Sequence, residues 1–183
     1  MEDKSKKILN TFAQKTGMLS PDGTDYHYLL NLVSDALNIA KKDTISECVS
    51  ILKDTAKNDG YDANGVLVVA NTVVDNIMKH DSSTLILKAK TISAETIRDF
   101  CKKSNSMDFS GTYAKALVDT LYIDLIQHIQ ENKTMAVNAI KHISKTDSYD
   151  PTGVLIATNL AVEGVEKLST EPDPKLSMKF KRR

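Results

Sequence analysis

Apolar residues recur at intervals of three and four along most of the chain, the spacing that places them on one face of an α-helix. Ile8, Leu9, Phe12 and Ala13 form such a stripe in residues 4–15, and Leu29, Leu30, Val33 and Leu37 form another between Pro21 and about Lys41. Lys41-Lys42 suits the negative end of that second helix dipole. Thr44-Ile45-Ser46-Glu47 has the form of a capping box, which predicts a fresh start for a third helix carrying Cys48, Val49 and Leu52 inward. That helix is expected to stop at Lys57-Asn58-Asp59-Gly60. Residues 63–80 are apolar nearly all round at their start (Val66, Leu67, Val68, Val69, Ala70), the sign of a helix packed on several sides. After a connector at residues 80–90, whose Leu85-Ile86-Leu87 run predicts a short covering turn or helix, the pattern resumes. Further helices are expected at 93–103, at 109–130 with Leu117, Val118, Leu121, Leu125 and Ile129 as its stripe, at 133–145, and at 151–168. The expected class is all-α, with about eight helices in four hairpins.

One short pattern recurs between the two helices of every hairpin. It reads Leu19-Ser20-Pro21-Asp22-Gly23-Thr24, Tyr61-Asp62-Ala63-Asn64-Gly65-Val66, Met107-Asp108-Phe109-Ser110-Gly111-Thr112 and Tyr149-Asp150-Pro151-Thr152-Gly153-Val154. Ser20, Asp62, Asp108 and Asp150 are residue types that accept from the free N–H groups of a first helical turn, so they are expected N-caps. Pro21 and Pro151 then fall at the first helical position, where proline is well suited. Tyr61 with Val66, and Tyr149 with Val154, are spaced as hydrophobic staples. Gly23, Gly65, Gly111 and Gly153 would then lie inside helices at a cost of about 0.5–1 kcal/mol each, for which a closely crossing helix backbone is the expected reason. Phosphate binding at these helix starts is disfavoured, because a capping Asp would repel an anion.

The four glycines are 42, 46 and 42 residues apart, and sliding the chain by 88 residues brings the copies into register. Residues 61–79 and 149–167 then share 8 identities in 19 positions, where about one is expected by chance. Phe12/Phe100, Lys15/Lys103, Gly23/Gly111, Thr24/Thr112 and Leu29/Leu117 match in the same register. An 88-residue unit used twice is the expected organisation, with halves at about 1–80 and 89–168 inside one domain, 1–168. A helix pair every 40–47 residues is also the period of HEAT and armadillo arrays. That likeness is architectural only, since their signature residues do not occur here. The pattern fits either a short solenoid or a compact pseudo-twofold bundle, and the near-continuously apolar helices favour the bundle.

Composition narrows the function. Lys+Arg and Asp+Glu number 24 each and aromatics are 5% with no Trp, which argues against a body that binds nucleic acid by global charge or base stacking. No apolar run approaches the roughly 18 residues of a membrane span, and a charged Met1–Lys7 is unlike a signal peptide. A soluble, intracellular, cytoplasmic protein without membrane association is expected. A Lys-, Asn- and Ile-rich chain of this size also suits a viral or mobile-element protein. Cys48 and Cys101, which align with Ala136 and Ala13, read as small packed residues rather than a disulfide pair.

Candidate chemistry is sparse. His27, His80, His128 and His142 are scattered, and only His128 has a partner at helical spacing, Asp124. No metal-ligand spacing, glycine-rich phosphate loop, nucleophile elbow or EF-hand loop occurs. No catalytic, cofactor-binding or metal-binding residue is assigned, and an enzyme is not expected. Asn71 and Asn159, equivalent in the two most apolar helices, read as buried amides that bond across the pseudo-twofold, with a shared binding surface as the functional alternative.

Residues 169–183 lose the helical pattern and are expected to form an extended tail after Pro172 and Pro174. Lys175, Lys179, Lys181, Arg182 and Arg183 put five basic residues into nine positions, alternating in part with Leu176, Met178 and Phe180. This suits a peptide that docks in a protein groove or at a sheet edge; the basic cluster also suits phosphate contacts, and Lys179–Arg183 can be read as a weak nuclear-localisation signal. The function expected is a non-enzymatic adaptor, assembly scaffold or inhibitor that binds a protein, including a second copy of itself. The alternative is a nucleic-acid-associated factor acting through the tail.

Overall fold

A helix stops where its sequence offers a breaker, and between Thr24 and Asn58 there is neither Gly nor Pro. In a computed structural model, which describes residues 2–17, 19–104, 107–108 and 110–170, that stretch is one 35-residue helix. The described elements run α1 (Glu2–Thr16), α2 (Thr24–Asn58), β1 (Leu67–Val69), α3 (Ala70–Lys79), α4 (Ser83–Lys103), α5 (Thr112–Thr146), β2 (Leu155–Ala157) and α6 (Thr158–Thr170). The protein is thus mostly helical, with six described helices instead of about eight and one small sheet.

The difference in count has a plain cause. The capping box at Thr44 does not open a new helix, because nothing before it ends the old one. Thr44 is buried inside α2, and Lys41-Lys42 lie mid-helix rather than at a terminus. The expected break between 130 and 133 is likewise absent from α5. Residues 83–90, expected as connector, are the first turns of α4.

The residues expected to cap four helices do something else. At Ser20 and Asp108 the chain makes a tight turn, with Gly23 N–H donating to the Ser20 carbonyl at 2.9 Å and Gly111 N–H to the Asp108 carbonyl at 2.9 Å. The carbonyls of Gly23 and Gly111 accept from the N–H groups of His27 and Lys115. Accepting this first intrahelical bond makes the glycines themselves the N-caps of α2 and α5. At Asp62 and Asp150 the correction is larger, because neither begins a helix. Val66–Val69 and Val154–Ala157 are short runs rich in β-branched residues, stiff at χ1 and suited to a strand. Here they pair as β1 and β2.

The ribbon is antiparallel, with Leu67 opposite Ala157, Val68 opposite Ile156 and Val69 opposite Leu155. Its central pair lies 88 residues apart in the chain. Val68 and Ile156 are buried while their neighbours are half-exposed. The ribbon also solves the capping problem of the helices that follow. Val69 is extended (φ −74°, ψ 116°) and offers no side-chain cap to α3. Instead Ala70 N–H donates to the Val154 carbonyl and Thr158 N–H to the Val66 carbonyl, both at 2.9 Å, so each strand supplies an acceptor to the other's helix.

Two compact units result, and they are not the sequence halves. One takes the chain up to Ala40 together with Ser83–Ile129, and the other takes Lys41–Ser82 together with the chain from Gln130 onward. The first core is built from Leu9, Phe12, Leu29, Leu37, Phe100, Leu117, Leu121 and Leu125 among others. Tyr26 O–H donates to Asn10 Oδ1 at 2.6 Å and Ser104 O–H to Asp25 Oδ2 at 2.9 Å, which ties α1 and the end of α4 to α2. The second core gathers Cys48, Leu52, Val68, Val73, Ile77, Ile140, Ile156 and Val165. Each such aliphatic side chain contributes about 1.5–3 kcal/mol by leaving water.

Candidate protein-docking surface

The Tyr-Asp-x-x-Gly-Val pattern builds a hook at the outer edge of the ribbon. At Asp150, Oδ1 accepts from Thr152 N–H at 2.8 Å and from the Thr152 hydroxyl, and Oδ2 accepts from Leu155 N–H at 2.7 Å. These donors, the Thr152 hydroxyl first, hold the carboxyl below the ordinary aspartate value of 3.8. Tyr149 N–H donates to the Leu155 carbonyl at 2.9 Å. Both outward backbone groups of Leu155 are therefore satisfied within the hook, which closes an edge that would otherwise invite another strand. Asp62 makes the shorter version, with Oδ1 accepting from Asn64 N–H at 2.7 Å. Asp108 is similar, accepting from Ser110 N–H at 3.1 Å and its hydroxyl at 2.6 Å, and these bonds lower its carboxyl too.

The glycines at the even hooks do not lie inside helices, but the expected close helix backbone is there, Ala56 of α2 beside Gly65 and Ser144 of α5 beside Gly153, and backbone conformation adds a second requirement. Gly65 and Gly153 both have φ +70°, and a β-carbon on Gly153 would stand 2.6 Å from the Ser144 carbonyl oxygen of α5. The turn must therefore be left-handed and must also press against the end of a long helix.

Turning the chain this way leaves large apolar side chains outside. Tyr61 is 72% exposed and Tyr149 71%, so neither closes a staple; Val66 is 56% exposed and Val154 44%. The ladder places Val66 beside Thr158 and Val154 beside Ala70, and the half-exposed Leu67, Val69 and Leu155 continue the surface along the ribbon. Two matched tyrosine–valine pairs around one two-stranded ribbon offer apolar area and hydroxyl groups, beside the carboxylates of Asp62 and Asp150 that hold the hooks. Tyrosines of this kind are favoured where proteins meet, since each has an apolar body and a polar tip.

A polar cluster in the same unit was not anticipated from the sequence. The Lys133 ammonium, 4% exposed, donates to Ser82 Oγ at 2.9 Å and to the His80 carbonyl at 3.2 Å. His80 Nε2 lies 3.5 Å from Glu47 Oε1. A lysine beside a serine hydroxyl is also a catalytic arrangement, but Ser82 is only 7% exposed. Here the ammonium is directed at the carbonyl that ends α3, where a cation is favoured by the helix dipole. Cys48 is near this group, and burial pushes its thiol up to about 12, only partly offset by Lys133. It therefore stays a protonated, unreactive thiol at neutral pH. The signal in the sequence was a lysine within the inward stripe of α5, between Ile129 and Ala136, Val137 and Ile140.

Other expected residues are placed differently. Asn71 and Asn159 are exposed rather than buried, because α3 begins at Ala70 and turns Val73, Val74 and Ile77 inward. The amide that does tie helices together is Asn76, donating to Thr55 Oγ1 at 2.9 Å. His128 is buried, with Lys4 Nζ 3.4 Å from its Nδ1. The cysteines are free, Cys48 buried and Cys101 half-buried. Lys175, Leu176, Met178, Lys179, Phe180, Lys181, Arg182 and Arg183 lie outside the described residues. Among the described residues, no three His, Cys, Asp or Glu side chains are grouped to hold a metal, and no helix is long and apolar enough to cross a membrane. No protein-family model, curated protein or solved structure matches this chain.

Proposed function

We propose that this chain is a non-enzymatic binding protein, an adaptor, scaffold or inhibitor whose business surface is the β1–β2 ribbon with its two tyrosine hooks. The observation that carries this reading is the exposure of Tyr61, Val66, Tyr149 and Val154 around a single ribbon. Large apolar side chains left in water at both ends of one ribbon supply the exposed apolar area that such surfaces use. The reading also takes the chain as an 88-residue unit used twice. It is supported by α2 and α5, both 35 residues long, and by β1 and β2, all of which recur at that offset. A duplicated hook presents the same chemistry twice, which suits a partner with two similar ridges, a second copy of this chain included.

The test is to place a photoreactive phenylalanine analogue at Tyr61, at Tyr149 and, as control, at the solvent-facing Glu95, and to irradiate the full chain in its native cells. The expected outcome is the same protein adduct from both tyrosine positions and none from Glu95. Adducts to nucleic acid, together with steeply salt-dependent binding, would replace this reading with the alternative that acts through Lys175–Arg183. Absence of any adduct at both hooks would reject the ribbon as the docking surface.

A further inference from the structure

Within the second unit, the last turns of α2 and α3 border a cleft of about 220 Å³, lined by Asp54, Thr55, Asn58, Asp59, Asn76 and His80 among others. Thr55 is buried, and its hydroxyl donates to the Ile51 carbonyl at 2.7 Å while accepting from Asn76 Nδ2 at 2.9 Å. The Asn76 N–H groups are thus directed at Thr55, and no described group donates to its Oδ1. Asp54 and Asp59 are exposed, and neither carboxylate has an ion-pair or hydrogen-bond partner among the described residues. Other exposed aspartates of this chain are paired, Asp75 with Lys79 and Asp99 with Lys102. α2 ends at Asn58, so the negative end of its dipole falls at the same place.

Taking the chain as an 88-residue unit used twice, the second copy supplies an internal comparison. At that offset Thr55, Asn76 and His80 are replaced by Ile143, Gly164 and Leu168. Ile143 is buried, a β-carbon on Gly164 would stand 2.5 Å from its Cδ1, and Leu168 packs on the same core. The second copy therefore closes this helix contact with apolar groups. Asp54 becomes His142, and Asp59 becomes Asp147, whose carboxylate accepts from the Thr146 hydroxyl at 2.9 Å. The polar lining and the unpaired carboxylates belong to the copy that carries Tyr61. Asp59 is two residues before Tyr61 in the chain, so the cleft adjoins the first hook.

We infer that this cleft receives the guanidinium group of an arginine side chain on the protein that docks at the ribbon. The identity of that partner rests on the docking reading above; the cleft and its charge do not. Two carboxylates, the Asn76 Oδ1 and the end of α2 are all acceptors or negative, and a guanidinium is all donors, in a planar fork that suits carboxylates. It is also more weakly hydrated than an ammonium and stacks on aromatic faces. The Tyr61 ring, 72% exposed, offers such a face at the adjoining hook. The partner would meet both tyrosine hooks through apolar area, and the single charged contact beside the first would set its orientation. Exposed carboxylates are screened by salt, so this contact weakens as salt rises.

Titration of the isotope-enriched full chain with N-acetyl-arginine amide tests this by nuclear magnetic resonance. The expected result is a saturable shift of the Asn76 side-chain amide and of the Asn58 and Asp59 backbone amides, with Thr146 and Asp147 unmoved. The uncharged isostere N-acetyl-citrulline amide should leave all of them in place. Asp54→Asn with Asp59→Asn, both exposed positions, should weaken the arginine amide about tenfold. Thr55→Ile with Asn76→Gly and His80→Leu, which copies the closed contact of the second unit, should abolish the Asn58 and Asp59 response. No shift with the arginine amide, or an equal response to citrulline, overturns the inference, and an equal response to N-acetyl-lysine amide overturns the guanidinium assignment. In cells, the Asp54→Asn, Asp59→Asn chain should give less photo-adduct from Tyr61. An unchanged yield would make the occupant a free guanidinium compound and overturn the partner's arginine. Crosslinking of the unaltered chain does not read this cleft and the titration does not read the ribbon, so the two readings fail separately.

Discussion

Gly153 and Gly17 share a left-handed backbone but differ in what surrounds them. Both have φ near +70°, yet a β-carbon at Gly17 meets nothing within 4 Å, while one at Gly153 reaches the Ser144 carbonyl. Conformational strain alone costs about 1–2 kcal/mol, and a backbone clash adds about 1–3 kcal/mol. Gly17→Ala should therefore destabilise by about 1 kcal/mol and Gly153→Ala by about 3 kcal/mol, as read from urea unfolding midpoints. Equal costs would mean that the hook does not press on α5. At this scale the sequence was a good guide to position and a poor one to role. Asp-x-x-Gly signals a turn whatever follows it, because the carboxylate bonds the backbone two residues on. Whether a helix or a strand follows is not written in those four residues. Asp62 and Asp150 lead into strands, whereas Asp108 and Ser20 lead into helices capped by Gly111 and Gly23.

At the level of elements, the length of α2 is the feature most open to test. The sequence carries a respectable capping box at Thr44, and a helix starting there would accept proline within its first turn. In the uninterrupted α2, Ser46 lies mid-helix and is exposed, so proline there removes a backbone bond and clashes with the preceding turn. Ser46→Pro should cost about 3 kcal/mol or more, with a measurable loss of helical circular dichroism. A neutral result would put the boundary back at Thr44. Capping residues work only where the chain has already left the helix. Inside a run of 35 helical residues without Gly or Pro, the same Thr and Glu are ordinary helix positions. The strands were illegible for the converse reason: Val66–Val69 is a short apolar run whose period cannot separate a buried helix from a strand.

For the molecule as a whole, two cores are threaded by two unbroken helices, α2 and α5, each of which contributes to both units. Neither core can melt without fraying helices on which the other is built. Leu121→Ala in the first core and Ile140→Ala in the second should each cost about 2–5 kcal/mol and shift one common transition. Calorimetric and van't Hoff enthalpies should then agree. Two resolved transitions, each sensitive to only one substitution, would show that the units unfold independently. What the sequence by itself determined was the helical class and most of the core positions, since both follow from local periodicity; it marked where the four Gly-containing segments fall but read them as helix starts. The tertiary structure alone decided that residues 67–69 and 155–157 are strands, that Lys133 is spent on a helix end, and that the tyrosines face water. A short β-branched run becomes a strand only when another segment supplies acceptors and donors for its backbone. Here that segment is 88 residues away, beyond the reach of any local pattern.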